Sequence, residues 1–238
     1  MVGGASLEGM RVSARSSALL LAALAALACS GPAAPPPDPT AVLRQAGQAM
    51  SGLHSVGADV KFGPGVEVNG LTLSSATTSL ELPNASDTVF KVKQGDFLVD
   101  LRLVTTGGHV YVRLPFSKFT EVTPDEAKDL PDLGQLFDRR SGLPAVLAAG
   151  HDTRYLGQEQ VAGTDCDKVA TTYGADQIGS LLGVKPAGDV RATIWAARSD
   201  HYVRRVLLDG PLLKAGANVQ VQVDFRDFNR PVAIATPV

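Results

Sequence analysis

Histidine, cysteine, serine and carboxylate side chains could carry chemistry in this chain of 238 residues, and their spacing decides how far each goes. His54, His109, His151 and His201 stand about fifty residues apart, and no two have the spacing of a HExxH or a two-histidine, one-carboxylate metal site. His151-Asp152 and Asp200-His201 are adjacent pairs, whose side chains diverge on a strand. A serine nucleophile of the α/β-hydrolase type needs a Gly-x-Ser-x-Gly elbow, and neither Ser141-Gly142 nor Gly179-Ser180 supplies it. Gly63-Pro64-Gly65 is not a phosphate loop, because proline has no amide to donate. Cys166 lies between Asp165 and Asp167, which disfavour a thiolate, so a buried free thiol is expected there. A glycosidase needs paired carboxylates, usually beside aromatic walls that stack on sugar, and the chain has one Trp and four Tyr. The expectation is therefore a protein with no catalytic residues, no metal and no non-covalent cofactor.

Cys29 is different, because its surroundings point to processing. Arg11 and Arg15 precede 22 uncharged residues, Ser16 to Pro37, with Met10 just ahead of them as the expected start of translation. The apolar run from Ala18 to Ala28 is far shorter than the roughly 20 residues needed to span a bilayer, so it reads as a signal-peptide h-region. It ends in Leu24-Ala25-Ala26-Leu27-Ala28-Cys29-Ser30, which resembles a bacterial lipobox with its Leu one place late. In one outcome the Cys29 thiol receives a diacylglyceryl group and becomes the acylated mature N-terminus. In the other an ordinary signal peptidase cuts after Ala26-Leu27-Ala28 and leaves Cys29 bare. The next residues favour the first outcome: Pro32, Pro35, Pro36, Pro37 and Pro39 favour an extended polyproline II tether, which holds a domain off a membrane. The expected boundaries are residues 1–28 for the lipoprotein signal peptide, 29–38 for the tether and 39–238 for the folded domain.

Composition narrows the partners. With 45% hydrophobic and 19% charged residues the chain can bury a core, and 22 basic against 24 acidic residues leave no excess to track nucleic acid. Removing Glu8, Arg11 and Arg15 takes the net charge from −2 to −3, so electrostatic attraction to anionic lipid is not the anchor.

The elements that would position a site follow from two periods. Asp38-Pro39 caps a helix, and Val42, Leu43, Ala46, Met50 and Leu53 carry it to about residue 53. Thereafter the pattern alternates: Val66, Val68, Leu71 and Leu73, then most cleanly Phe97, Val99, Leu101 and Leu103, with Asp100 and Arg102 turned the other way. Turns at Gln94-Gly95-Asp96 and Thr106-Gly107-Gly108 join the strands around 88–93, 97–104 and 109–114 into a meander. Thr123-Pro124-Asp125-Glu126 is a capping box, and short helical pieces around Leu130, Leu133, Leu136, Phe137, Leu143, Val146 and Leu147 follow it. Strands resume near 153–161, 165–173, 190–197, 202–209 and 218–228, with a helix near 176–182. The expectation is α+β: a single strongly curved antiparallel sheet of about eight to eleven strands over several short helices. Short helices rich in Gly and Pro cover an aliphatic sheet face poorly, so both an internal hydrophobic cavity and an ordinary closed core fit the pattern.

Four stretches break that tie. They are Gly108-His109-Val110-Tyr111 leading to Phe119, Ser141-Gly142-Leu143-Pro144 to Leu147, Gly157-Gln158-Glu159-Gln160-Val161-Ala162-Gly163 with Lys168-Val169, and Lys185-Pro186 leading to Ala192-Thr193-Ile194-Trp195. In order and spacing they resemble the LppX/LprAFG family of actinobacterial cell-envelope lipoproteins. The resemblance implies a half-barrel sheet, similar to periplasmic lipoprotein carriers, that encloses a hydrophobic cavity for acylated lipids or glycolipids. It further implies a non-enzymatic, membrane-anchored carrier on the extracytoplasmic face of the cell membrane, with an envelope lipid exporter as a further partner. On that reading Phe97, Val99, Leu101, Leu103, Val110, Val112, Val219, Val221 and Val223 form one cavity wall, and Leu143, Val146 and Leu147 the other. The alternative class is a surface interaction or signalling lipoprotein with a filled core and a protein partner.

Overall fold

The first element is α1 (Pro39–Met50), where the Thr40 amide donates to Asp38 Oδ1 at 3.0 Å and Pro39 takes the first turn. The helix stops at Met50, short of the expected residue 53, although Leu53 is still buried in the core behind the Ser51-Gly52 turn. The computed structural model describes residue 1 and residues 35–68, 70–127, 133, 135–182, 186–212 and 217–237. The signal segment, Met10, Cys29, most of the tether and Leu130 lie outside those residues. The larger compact unit is Pro37–Val238.

Among the described residues twelve antiparallel strands form one sheet: β1 (Ser55–Phe62), β2 (Glu67–Val68), β3 (Leu71–Glu81), β4 (Ala85–Gln94), β5 (Phe97–Thr106), β6 (His109–Arg113), β7 (Thr120–Glu121), β8 (His151–Val161), β9 (Thr164–Tyr173), β10 (Val190–Ala197), β11 (Val203–Gly210) and β12 (Val219–Arg226). Their order is β7-β6-β5-β4-β3-β1-β12-β11-β10-β9-β8, with β2 paired to β3 off this path. The count passes the expected eleven because β7 is a two-residue strand, too short to leave an alternation in the sequence, and because the turn at Gly70 splits the two residues of β2 from β3. Two meanders, β3 to β7 and β8 to β12, meet where β1 pairs with β12, with Val60 opposite Val223 and Phe62 opposite Val221. The sheet stays open, ending on β7 and on β8, and β8 shifts register against β9 twice, between His151 and Arg154 and between Tyr155 and Gly157.

The connection from β7 to β8 carries α2 (Pro124–Ala127), a 3₁₀ turn (Gln135–Phe137) and α3 (Leu143–Leu147), and α4 (Ala175–Leu182) follows β9. The capping box forms: Thr123 N donates to Glu126 Oε2 at 3.1 Å, and Glu126 N to Thr123 Oγ1 at 3.4 Å. The 3₁₀ turn, α3 and α4 gather with α1 on one face of the sheet, where α1 rests on β8, β9 and β10 and packs against α3. Their apolar residues, among them Leu43, Ala46, Met50, Leu147 and Ile178, form one core with Val56, Val169, Val190, Ile194, Val203 and Leu208 from the strands.

Candidate functional site

Register defines the candidate face. In β5, Phe97, Val99, Leu101 and Leu103 pair with Gln94, Val92, Phe90 and Thr88 of β4, and Leu103 pairs on its other side with Val112 of β6. Thr78 stands opposite Thr88, and Val56 of β1 opposite Leu80, so strand parity carries the same face through to Val223, Val221 and Val219 of β12. Every strand residue expected in the cavity wall therefore lies on one face, the face that carries the helices.

That face has two halves with different surroundings. Over β8 to β12 and β1 it is covered: Val219 and Val146 are buried, Leu147 is 1% exposed, and Leu143 and Val221 pack against the same core. Over β4, β5 and β6 it is covered only in part: Thr88, Val92 and Leu103 are buried, and the rest is not. Phe90, Val99, Leu101, Val110 and Val112 are only half-buried, Phe97 is 76% exposed, and none of them belongs to the main core. Leu103 is buried by its neighbours, beside the Thr78 and Thr88 hydroxyls, which hydrogen-bond to each other at 2.7 Å. That pairing satisfies two buried polar groups without water. Val223 lies between the two halves, half-buried and outside the core cluster.

Phe90 and Val92 belong to this face and were missed by sequence reasoning. Val89 and Phe90 are adjacent, which blurs the alternation in β4, while the cross-strand partners Leu101 and Val99 supply the missing parity.

The opposite face is polar and ion-paired. Arg102 donates from Nε to Asp87 Oδ1 at 2.7 Å, Lys91 pairs with Asp100 at 2.8 Å, and Arg226 Nε with Asp59 Oδ2 at 2.8 Å. The Arg226 hydrogen bond holds the Asp59 carboxyl below the usual carboxylate range, against the opposing effect of burial, with Thr77 assisting. The same side holds a small second core of Val161, Cys166, Trp195 and Ala197, and Lys168 lies over the indole at 4.9 Å. Cys166 is a buried free thiol, and burial pushes its pKa up, as the sequence led one to expect. Of the histidines, His109 Nδ1 meets Glu121 Oε1 at 2.7 Å on an exposed surface. Among the described residues no three His, Cys, Asp or Glu side chains cluster, and no helix is long and apolar enough to cross a membrane.

Two clefts lie near these surfaces. One of about 320 Å³ runs over the outer face of β8 to β11, between Arg154, Leu156, Arg191 and Leu207. The other, of about 520 Å³, lies where β5 begins and β6 ends, lined by Leu98, Val99, Leu114, Pro115 and Phe116.

The model of the LppX_LprAFG lipoprotein family matches residues 38–234. The chain belongs to that family. Among LppX_LprAFG relatives, the lipoarabinomannan carrier protein LprG of Mycolicibacterium smegmatis is 26% identical over 86% of this chain and 85% of its own length. The protein of the same name from Mycolicibacterium hassiacum is 26% identical over 84% and 85%. The fold matches crystal structures of LprF from Mycobacterium bovis, with TM-score 0.69, 21% identity, and coverage of 85% of this chain and 98% of that one. LppX from Mycobacterium tuberculosis superposes with TM-score 0.60 at 22% identity, over 82% and 97%.

Proposed function

We propose that this LppX_LprAFG member carries an acylated lipid or glycolipid through the cell envelope without catalysing a reaction. It would be held at the extracytoplasmic face of the cell membrane by diacylglyceryl and acyl groups, palmitate among them, on Cys29, and an envelope lipid exporter would be its working partner. One observation carries the reading: the apolar face continues from the closed core into β4, β5 and β6, where Phe90, Val99, Leu101, Val110 and Val112 stay half-exposed. A contiguous apolar surface left uncovered calls for an occupant. Each CH₂ of an acyl chain laid on it gains about 0.8 kcal/mol before ordering costs, so one long chain is enough to hold a ligand. The two relatives named as lipoarabinomannan carriers support the same assignment.

The experiment is native mass spectrometry of the protein purified from its own host, with Leu101→Trp beside the parent. The parent should retain a lipid mass, and the variant should lose it while melting within about 2 °C of the parent, because a half-buried position has room for the ring. A parent without lipid, together with a variant that melts well below it, overturns the carrier and favours a filled core with a protein partner.

A further inference from the structure

Among the described residues of the compact unit, five of the six exposed large apolar side chains gather at one corner: Leu71, Phe97, Leu98, Leu114 and Phe116, with Leu156 elsewhere. Register brings them together. Thr72 pairs with Lys93 and Gln94 with Phe97, which puts Leu71 beside the turn from β4 to β5, and the 520 Å³ cleft joins Leu98 to Leu114, Pro115 and Phe116. Phe116 is 98% exposed and has φ +61°. It follows Pro115 in a turn closed by Ser117 N donating to Leu114 O at 3.1 Å, the position where a type II turn asks for glycine or asparagine. A phenylalanine there bears backbone strain and gains no burial, so neither packing nor turn geometry accounts for it.

The charges around this corner run against the rest of the domain. Lys91, Lys93, Arg113 and Lys118 surround it, against Glu67, Asp96 and Asp100, the last paired with Lys91, which leaves the corner a net positive charge, whereas the chain beyond residue 28 carries a net −3. We infer that this corner is a membrane-docking tip, whose Phe97 and Phe116 rings enter the acyl-chain boundary of an anionic bilayer while the lysines meet its headgroups. Charge complementarity selects the bilayer: a locally basic tip on an acidic domain turns this corner toward an anionic surface and the other sides away from it. Aromatic rings with polar surroundings suit the interface between headgroups and acyl chains. The inference is independent of the carrier reading, since a domain with a filled core would dock in the same way.

The test uses the full chain as parent, Phe116→Trp, Leu156→Trp, and Phe116→Trp with Lys93→Gln and Lys118→Gln, all sharing one N-terminus. Each is bound to vesicles of phosphatidylcholine and phosphatidylglycerol with brominated acyl chains, and tryptophan emission is read against the parent, which has only Trp195. The Trp at 116 should be quenched at least twofold, and the Trp at 156, on the opposite edge of the sheet, should not. Loss of each lysine should lower the docked fraction's ratio to the undocked one about fivefold, the equivalent of roughly 1 kcal/mol per cation near the surface. Equal quenching at 116 and 156, whether absent or present in both, overturns the inference, because the first means no contact and the second adsorption without orientation. Both substitutions are at exposed positions, so folding does not confound the comparison.

Discussion

Gly47→Ala sets two physical effects against each other at the contact that holds the helices on the sheet. Glycine in a helix interior costs about 1 kcal/mol relative to alanine, so helix propensity alone makes the substitution stabilising. The structure reverses the sign. A Cβ at residue 47 would lie 2.5 Å from the carbonyl oxygen of Pro144 in α3, where ordinary contact begins at 3.4 Å, and the next atoms are Pro144 C at 3.5 Å and Leu147 Cβ at 3.7 Å. The obstacle is backbone, which cannot rotate away, so α1 and α3 would have to part by about 0.9 Å. Parting them loosens Leu147 and Val146 against Leu43 and Met50. Overpacking of this kind costs about 1–3 kcal/mol, and with a rigid obstacle the upper half of that range applies. The net loss is then about 1–2 kcal/mol, which for a domain of this size lowers Tm by about 2–8 °C. Thermal unfolding followed by circular dichroism measures it, with the exposed Gln48→Ala as a control expected to stay within about 0.5 kcal/mol. A Gly47→Ala protein that melts at or above the parent would refute the argument, and with it the close approach of α1 to α3.

Arg226→Gln removes the main cause of the lowered Asp59 pKa, so the carboxyl should titrate nearer its unfolded value of about 3.9. Because the folded pKa lies below the unfolded one, the stabilisation is complete above about pH 4 and fades as the pH falls through the folded value; the variant should show a shallower acid loss. Carboxyl-carbon NMR titration reads the shift, and an unmoved Asp59 resonance counts against the assignment. Cys29→Ala should move the protein from the membrane fraction to the medium, as cell fractionation would show, since stable attachment takes more than one acyl chain. Unchanged membrane partition after that substitution would locate the anchor elsewhere.

Much of the sheet was legible because alternation reports strand parity. Phe97, Val99, Leu101 and Leu103 do share a face, with Asp100 and Arg102 on the other, and Val219, Val221 and Val223 continue it four strands further into the sheet, through β4, β3 and β1 to β12. Parity says which way a side chain points and nothing about what covers it. For that reason Phe97 and Val219, alike in the sequence pattern, end up at 76% and 5% exposure. Trp195 shows the converse: β10 is buried on both faces from Ile194 to Ala197, and one strand's alternation cannot announce a second small core behind the sheet. The exposed corner needed the register as well: β3, β4 and β5 are successive strands, and only their pairing decides that Leu71 and Phe97 stand at the same end of the sheet.

The two register shifts in β8 have a consequence for proteins crowded on one surface. An eleven-residue strand at a free sheet edge offers a row of unpaired amides and carbonyls that a second copy could extend. The shifts at Arg154 and at Gly157, where φ is +109°, break that row into short stretches and bend it. At the opposite edge β7 offers only two residues. Neither edge is a good template for intermolecular strand addition, so copies concentrated at a membrane can stay separate without any other chain to cap them.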